Sequence, residues 1–196
     1  GSEMCIRDRG ISALRYLDNE ILCVVDSVFA GKNISDLSII KKNIPIVKSI
    51  ERAKLMGSNV LLFGVLTSGG IRPKSWDSVI KEALENGMSI INGLHDQISP
   101  GFSKYIINDN QWIWDTRVPK FIPQIGSARS AELKNKRILM IGTDMAAGKM
   151  TVGLELYSYL IEKKINAGFV ATGQVGITVT GCLLYTSDAA DEVRRG

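Results

Sequence analysis

A ten-residue segment from Gly142 to Thr151, with the sequence GTDMAAGKMT, carries the residue types that bind a phosphate group. Glycine at position 148 allows a tight turn, and the backbone N–H groups of Met145 to Lys149 would face the ligand. Lys149 would place a positive charge beside the outer phosphate oxygens. The segment lies between a predicted strand and a predicted helix, which is the context that a nucleotide-binding phosphate loop requires.

This loop departs from the common pattern G-x4-G-K-[ST]. Five residues separate its glycines, and Met150 stands where a metal-binding hydroxyl usually follows the lysine. Thr151 is the nearest hydroxyl and is therefore the candidate ligand for a magnesium ion. A plain strand-to-helix turn with a solvated lysine is the alternative. The predicted cofactor-binding residues are Gly142, Thr143, Asp144, Met145, Ala146, Ala147, Gly148, Lys149, Met150, Thr151 and Gln174.

Two residues are candidates for catalysis. His95, the chain's only histidine, follows a predicted strand and stands beside Asp96. An imidazole oriented by a carboxylate can act as a general base, and a histidine satisfied in a packed loop is an equal alternative. Asp144 could orient a metal-bound water or a substrate amine, or only hydrogen-bond N–H groups of its own loop.

Other polar residues also follow predicted strands, where ligands bind in α/β folds. Gln174 presents a side-chain amide that suits a ligand contact, with an ordinary turn as the alternative. Asp26 and Lys32 bracket a loop and either contact a substrate or pair as surface charges. Arg72 could grip a carboxylate bidentately, although exposed arginines are common.

The elements that must position these residues alternate along the chain. Short apolar runs predict strands at 20–26, 59–65, 88–92, 111–117, 136–141 and 167–172. Helical spacing predicts helices from Pro45 to Gly57, from Pro73 to Asn86 and from Met150 to Lys164, whereas 173–181 reads as a loop. Strands that alternate with helices predict the α/β class, with a parallel sheet covered by helices on both faces.

A stretch at 119–133 containing proline, glycine and small residues predicts a linker between an N-terminal domain at 10–118 and a phosphate-loop domain at 134–181. Residues 1–9 and 182–196 match neither pattern and resemble translated sequencing-adapter sequence, so we expect two non-native tails. The second domain would then be cut short, with an exposed sheet edge. We expect poor solubility and little activity from such a fragment.

Composition excludes several classes of protein. The 24 Lys and Arg residues exceed the 20 Asp and Glu residues by only four and are scattered, so nucleic acid is not an expected partner. No apolar run approaches the roughly 20 residues of a membrane span, and no signal-peptide pattern opens the chain, so we expect a cytoplasmic protein without a membrane partner. The cysteine pattern predicts neither a disulfide framework nor a thiolate metal site.

These motifs together resemble one family, the DgcN-type D-glutamate N-acetyltransferases, long catalogued as a domain of unknown function. The resemblance covers residues 20–181. It rests on Val25-Asp26-Ser27, Ala30-Gly31-Lys32, Gly69-Gly70, Pro73, Trp76, Asn92-Gly93-Leu94-His95-Asp96, Gly142-Thr143-Asp144, Gly148-Lys149-Met150-Thr151, Ala171-Thr172-Gly173-Gln174 and Gly176.

The resemblance implies a Rossmann-like N-terminal domain followed by a P-loop NTPase-like domain similar to that of dethiobiotin synthetase, which shares the five-residue spacing. It implies an N-acetyltransferase that uses acetyl-CoA and acts on D-glutamate or a similar amino acid bound between the domains. Two alternatives remain open: an ATP-dependent ligase or kinase with Mg²⁺ at Thr151, and a non-catalytic nucleotide-responsive binding module. A homo-oligomer is left open as well.

Overall fold

The computed structural model describes residues 3–65, 67, 70–118, 129–144, 147–171 and 173–181. The chain divides into two compact units, residues 1–118 (unit 1) and 119–196 (unit 2). The limits that the sequence suggests for the domains, the linker and the tails stay predictions. None of the helices in the described ranges is long and apolar enough to cross a membrane.

Unit 1 contains two small parallel sheets. In the first, β1 pairs with β2, and in the second the strand order is β3-β4-β5 with β4 in the centre. In the second sheet Ile90 lies opposite both Leu61 and Ile113. The strands are β1 at Val24–Val25, β2 at Ile46–Val47, β3 at Val60–Leu62, β4 at Ser89–Asn92 and β5 at Ile113–Asp115.

Helices connect these strands, and unit 2 contains helices of its own. Those of unit 1 are α1 at Glu3–Tyr16, α2 at Ile34–Leu37, α3 at Ile50–Leu55, α4 at Trp76–Glu85 and α5 at Ser99–Phe102, which leads into a 3-10 turn at Ser103–Tyr105. Those of unit 2 are a 3-10 turn at Arg129–Glu132, α6 at Lys149–Glu162 and α7 at Gln174–Thr180.

The main core of unit 1 forms between α4 and the central strand β4. One face of α4 carries three apolar residues at positions i, i+3 and i+4, namely Ile80, Ala83 and Leu84. All three are fully buried. Ile90 of β4 is also fully buried in the same cluster. Burial of each large aliphatic side chain contributes about 1.5–3 kcal/mol, which fixes the sheet whose carboxyl end carries the polar residues described below.

The helix predicted from Pro45 starts later than its spacing suggests. Ile46 and Val47 form β2 and pair in parallel with Val24 and Val25, and α3 begins only after Ser49. The apolar spacing is real, because Ile46 and Ile50 are both buried, but Ile46 is buried as part of a strand. Its pairing partner lies more than twenty residues away, so local periodicity could not reveal it.

Ser49 is the N-cap of α3, and removal of its hydroxyl should lower the stability of unit 1. Its side-chain oxygen accepts from the Arg52 N–H at 3.3 Å. We expect Ser49→Ala to lower the free energy of unfolding by about 1 kcal/mol, measured by urea denaturation. Ser75→Ala is the matched control, because Ser75 precedes α4 in the same position without a side-chain cap bond. Equal losses in the two variants would contradict the capping role.

Unit 2 differs from its predicted elements in three places. In its described part, residues 136–141 and 167–171 form no strand and pair with none, so both strand predictions are wrong there. An extended segment becomes a strand only when a neighbour accepts its ladder hydrogen bonds. Leu139 and Ile141 accordingly remain more than four-fifths exposed. The predicted loop at 173–181 instead contains α7, which ends at Gly181 in the left-handed conformation.

Helix α1 continues across the predicted junction between Arg9 and Gly10. Arg9 is 1% exposed, and the Gly10 N–H donates to the Gly64 carbonyl at 2.9 Å. The middle of α1 therefore packs on the loop that follows β3. The foreign origin of residues 1–9 stays a prediction.

Candidate functional site

The predicted phosphate loop leads directly into α6. Gly148 precedes the helix with a φ of 86°, a conformation that residues with a Cβ rarely adopt. The Lys149 side chain folds back over Gly142, since a Cβ at position 142 would lie 3.1 Å from its Cγ and Cδ. Its Nζ donates to the Asp144 carbonyl at 2.5 Å. The loop therefore holds an ammonium group at the N-terminus of a fourteen-residue helix, where the helix dipole also favours an anion.

The other predicted loop residues are open to a ligand to different degrees. Gly142, Thr143, Asp144 and Ala147 are exposed, and Met150 and Thr151 are partly buried in the first turn of α6. The predicted contacts of Met145 and Ala146 lie outside the described residues.

Gln174 begins α7 and is 7% exposed. Its Oε1 atom is buried and has no hydrogen-bond partner among the described residues. The first turns of α6 and α7 are neighbours, because a Cβ at Gly176 would lie 3.8 Å from the Met150 Sδ. The structure thus places an unused acceptor on the helix that packs beside the phosphate loop, and the ligand role of Gln174 stays a prediction.

The described residues include no cluster of three or more His, Cys, Asp or Glu side chains that could hold a metal ion. A magnesium ion at Thr151 would therefore depend on phosphate oxygens and water for most of its ligands, as magnesium commonly does in nucleotide sites. The metal role of Thr151 stays a prediction.

His95 lies in unit 1, on the loop that follows β4, and is exposed. Its backbone N–H donates to the Gly70 carbonyl at 2.9 Å, and its ring packs against Gly70. Asp96 does not orient the imidazole, because its carboxylate accepts from the Arg72 N–H at 3.0 Å and lies 3.3 Å from the Arg72 Nε. The imidazole is exposed, and its role as a base stays a prediction.

Gly70 and His95 approach so closely that a side chain at position 70 would overlap the imidazole Cδ2. We expect Gly31→Ala, where φ is +88° and no atom lies within 4 Å of the new Cβ, to lower stability by about 1–2 kcal/mol through backbone strain alone. Gly70→Ala, where φ is +67°, should cost more and shift the His95 imidazole resonances. Thermal melts and NMR measure both effects, and equal costs would contradict the close approach.

Arg72 does grip carboxylates, but they belong to this chain. It pairs with Asp77 and Asp96, and its guanidinium lies 5.0 Å from the centre of the Phe102 ring. Asp26 and Lys32 form no pair with each other. The Asp26 carboxylate accepts from two N–H groups of the following turn, and the Lys32 ammonium lies 5.6 Å from the Phe29 ring centre.

A buried hydrogen-bond cluster, which the sequence patterns did not predict, lies at the carboxyl end of the β3-β4-β5 sheet. Asn92 and Asp115 are the last residues of β4 and β5 and lie opposite each other. The Asp115 carboxylate accepts from the Asn92 Nδ2 at 2.7 Å and from the N–H groups of Ile98 and Ser99 at 3.1 and 3.0 Å. It thereby fixes both ends of the loop that carries His95. A polar residue at the end of a strand was the signal available in the sequence.

Two arginines meet at the same end of this sheet. Arg9 donates to the carbonyls of Phe63 and Gly93 at 3.2 and 2.8 Å, and the Arg117 Nε donates to the same Gly93 oxygen at 3.0 Å. Burial, and to a smaller degree the positive charge of Arg117, together lower the pKa of Arg9 to about 10. This end of the sheet therefore concentrates positive charge.

The parallel sheets of unit 1 and the phosphate loop before α6 define the class of protein: a two-domain α/β protein with a Rossmann-like domain and a P-loop domain. This confirms the predicted fold class. The profile described as "Domain of unknown function (DUF1611_N) Rossmann-like domain" matches residues 27–119, and the one described as "Domain of unknown function (DUF1611_C) P-loop domain" matches residues 124–189. The chain belongs to the DUF1611 family.

Similar proteins agree with this assignment. A D-glutamate N-acetyltransferase of a Pseudoalteromonas species is 36% identical over 136 residues, and one of Tritonibacter scottomollicae is 33% identical over 135 residues. Each match covers 68% of this chain and 40% of the relative, so the chain spans about two fifths of the length of these relatives. The crystal structure of a DUF1611 family protein from Anabaena variabilis superposes with a TM-score of 0.84 at 35% identity, over 90% of this chain and 52% of that one.

Proposed function

We propose that this chain is part of an N-acetyltransferase that uses acetyl-CoA and acts on D-glutamate or a similar amino acid. The observation that carries the proposal is the loop at the start of α6, where Gly148 in the left-handed conformation and the Lys149 ammonium stand at the N-terminus of the helix. The relatives named D-glutamate N-acetyltransferase supply the reaction. A phosphate-binding loop fits such a reaction because acetyl-CoA is a phosphate-bearing cosubstrate.

The residues of unit 2 suit this cosubstrate. The phosphate oxygens of acetyl-CoA would accept hydrogen bonds from N–H groups at the start of α6 and from the Lys149 ammonium. The buried Gln174 Oε1, unpartnered within the described ranges, would accept a hydrogen bond from a donor on the ligand. When bound, acetyl-CoA supplies an activated acetyl group to the amine of the substrate.

Transfer to an amine needs a base, because an ammonium group has no free electron pair to attack the thioester. His95, whose imidazole is exposed in unit 1, is the first candidate for that base. Asp144, at the phosphate loop, is the second candidate. Hydrogen-bond donors must also stabilise the oxyanion of the tetrahedral intermediate.

An ATP-dependent ligase or kinase is the second candidate function. The observation that favours it is the Thr151 hydroxyl in the first turn of α6, two residues after Lys149, where a hydroxyl could join a magnesium ion. The two functions differ in their need for magnesium.

Calorimetric titration of the chain tests the proposal. We expect acetyl-CoA to bind with equal affinity in the presence and absence of Mg²⁺. Magnesium-dependent binding of ATP, without binding of acetyl-CoA, would favour the ligase or kinase and contradict the proposal. A full-length relative mixed with acetyl-CoA and D-glutamate should release free CoA thiol, and the absence of thiol release would contradict the proposed reaction.

A further inference from the structure

Arg117 follows β5 and has hydrogen-bonding capacity that the described residues leave unused. Its Nε donates to the Gly93 carbonyl, which fixes the guanidinium at the end of β4. The side chain is partly exposed. Its two Nη atoms make no hydrogen bond or ion pair with any described residue. A fixed and partly open guanidinium is suited to bind a planar anion through two parallel hydrogen bonds.

The acidic side chains at this end of the sheet do not neutralise Arg117. The Asp115 carboxylate accepts from Asn92 and from two backbone N–H groups, and the Asp96 carboxylate is held by Arg72. Both are therefore committed to other partners. An anion that pairs with Arg117 must come from outside the described residues.

Arg9 adds to the positive charge at the same place. It shares the Gly93 carbonyl with Arg117, and two like charges this close repel each other. An anion would relieve that repulsion. Arg117 itself lies outside the segment predicted to be a foreign tail.

We propose that the carboxyl end of β4 and β5 binds a carboxylate group of a small-molecule substrate, and that the Nη atoms of Arg117 are its partners. This deepens the proposed function and rests on it, because it assigns an acidic amino acid to unit 1. Ligands in α/β sheets bind beyond the carboxyl ends of the strands. His95 lies two residues after Gly93 on the same loop, so the candidate base stands at the same end of the sheet.

Titration of the chain with D-glutamate tests this site. We expect Arg117→Met to weaken D-glutamate binding by about 10- to 100-fold, the usual effect of losing hydrogen bonds to a charged group. Arg117→Lys, which keeps the charge but loses the fork, should fall between. Arg52→Met is the matched control, because Arg52 is exposed on α3, and it should bind as the parent chain does. Unchanged binding in Arg117→Met would overturn the proposal.

Two further measurements keep the test decisive. The Nε–H resonance of Arg117 in the unmodified chain should shift when D-glutamate is added, whether or not the variants fold. No shift at saturating D-glutamate, or no binding to the unmodified chain, would overturn the proposal. Inorganic phosphate should compete weakly with D-glutamate, and equal competition would refute the preference for a carboxylate.

The proposal can fail separately from the proposed function. Arg117→Met should leave acetyl-CoA binding unchanged, since the phosphate loop belongs to unit 2. If acetyl-CoA does not bind but D-glutamate binds through Arg117, the carboxylate site stands and the acetyltransferase assignment fails. If acetyl-CoA binds and D-glutamate binds independently of Arg117, this site is refuted and the proposed function stands.

Discussion

Replacement of Lys149 by alanine should weaken binding of acetyl-CoA to the chain by about 10- to 100-fold. Lys149 provides the ammonium that lies inside the loop, over Gly142 and within 2.5 Å of the Asp144 carbonyl. Its loss removes the charge and leaves only backbone N–H groups and the helix dipole to hold a phosphate. Isothermal titration calorimetry measures the change directly.

Lys163→Ala is the control for this prediction. Lys163 follows the other end of α6, is exposed, and has its ammonium 5.5 Å from the Tyr159 ring centre. Lys163 carries the same charge as Lys149 but lies at the opposite end of α6. Its loss should therefore leave the affinity for acetyl-CoA nearly unchanged. If both variants bind acetyl-CoA like the parent chain, the segment is an ordinary turn and its lysine has no part in binding.

Replacement of Asp115 by alanine should lower the free energy of unfolding of unit 1 by about 3 kcal/mol. Three donors lose their acceptor at once: the Asn92 Nδ2 and the N–H groups of Ile98 and Ser99. Asp115 is 7% exposed, so water reaches these donors poorly and cannot replace the carboxylate fully. Urea denaturation, followed by tryptophan fluorescence, measures the loss.

Two variants complete this experiment. Asp109→Ala removes an exposed carboxylate and should change stability by less than about 0.5 kcal/mol. Asp115→Asn keeps one acceptor oxygen but turns the other into a donor group, so its stability should lie between the parent and the alanine variant. An alanine variant at 115 as stable as the one at 109 would show that the cluster does not hold the loop.

Local sequence patterns were sufficient to predict those elements whose structure depends mainly on neighbouring residues. The three buried residues of α4 share a helical face, and β4 is a short apolar run, so both were predicted. The loop before α6 was predicted for the same reason, because Gly148 and Lys149 are adjacent in the sequence and stand at the start of that helix. The fold class follows from the order of such elements.

Contacts between distant residues were not predictable from one sequence. β2 is a strand because Ile46 lies opposite Val24, and the roles of Asp115 and Arg117 depend on partners 23 and 24 residues earlier. Adjacency in the sequence also gave a wrong partner for His95. Asp96 stands next to it, but its carboxylate binds Arg72. In unit 2, apolar runs alone did not define strands.

The bond between Lys149 and the Asp144 carbonyl has a consequence for ligand exchange. A phosphate that entered the loop as proposed would not meet a bare ammonium, because it would have to displace an acceptor tethered five residues away at a high effective concentration. The loop thus contains its own competitor. The affinity measured for such a ligand would then be the intrinsic affinity multiplied by the fraction of molecules in which Lys149 is not bonded to the loop.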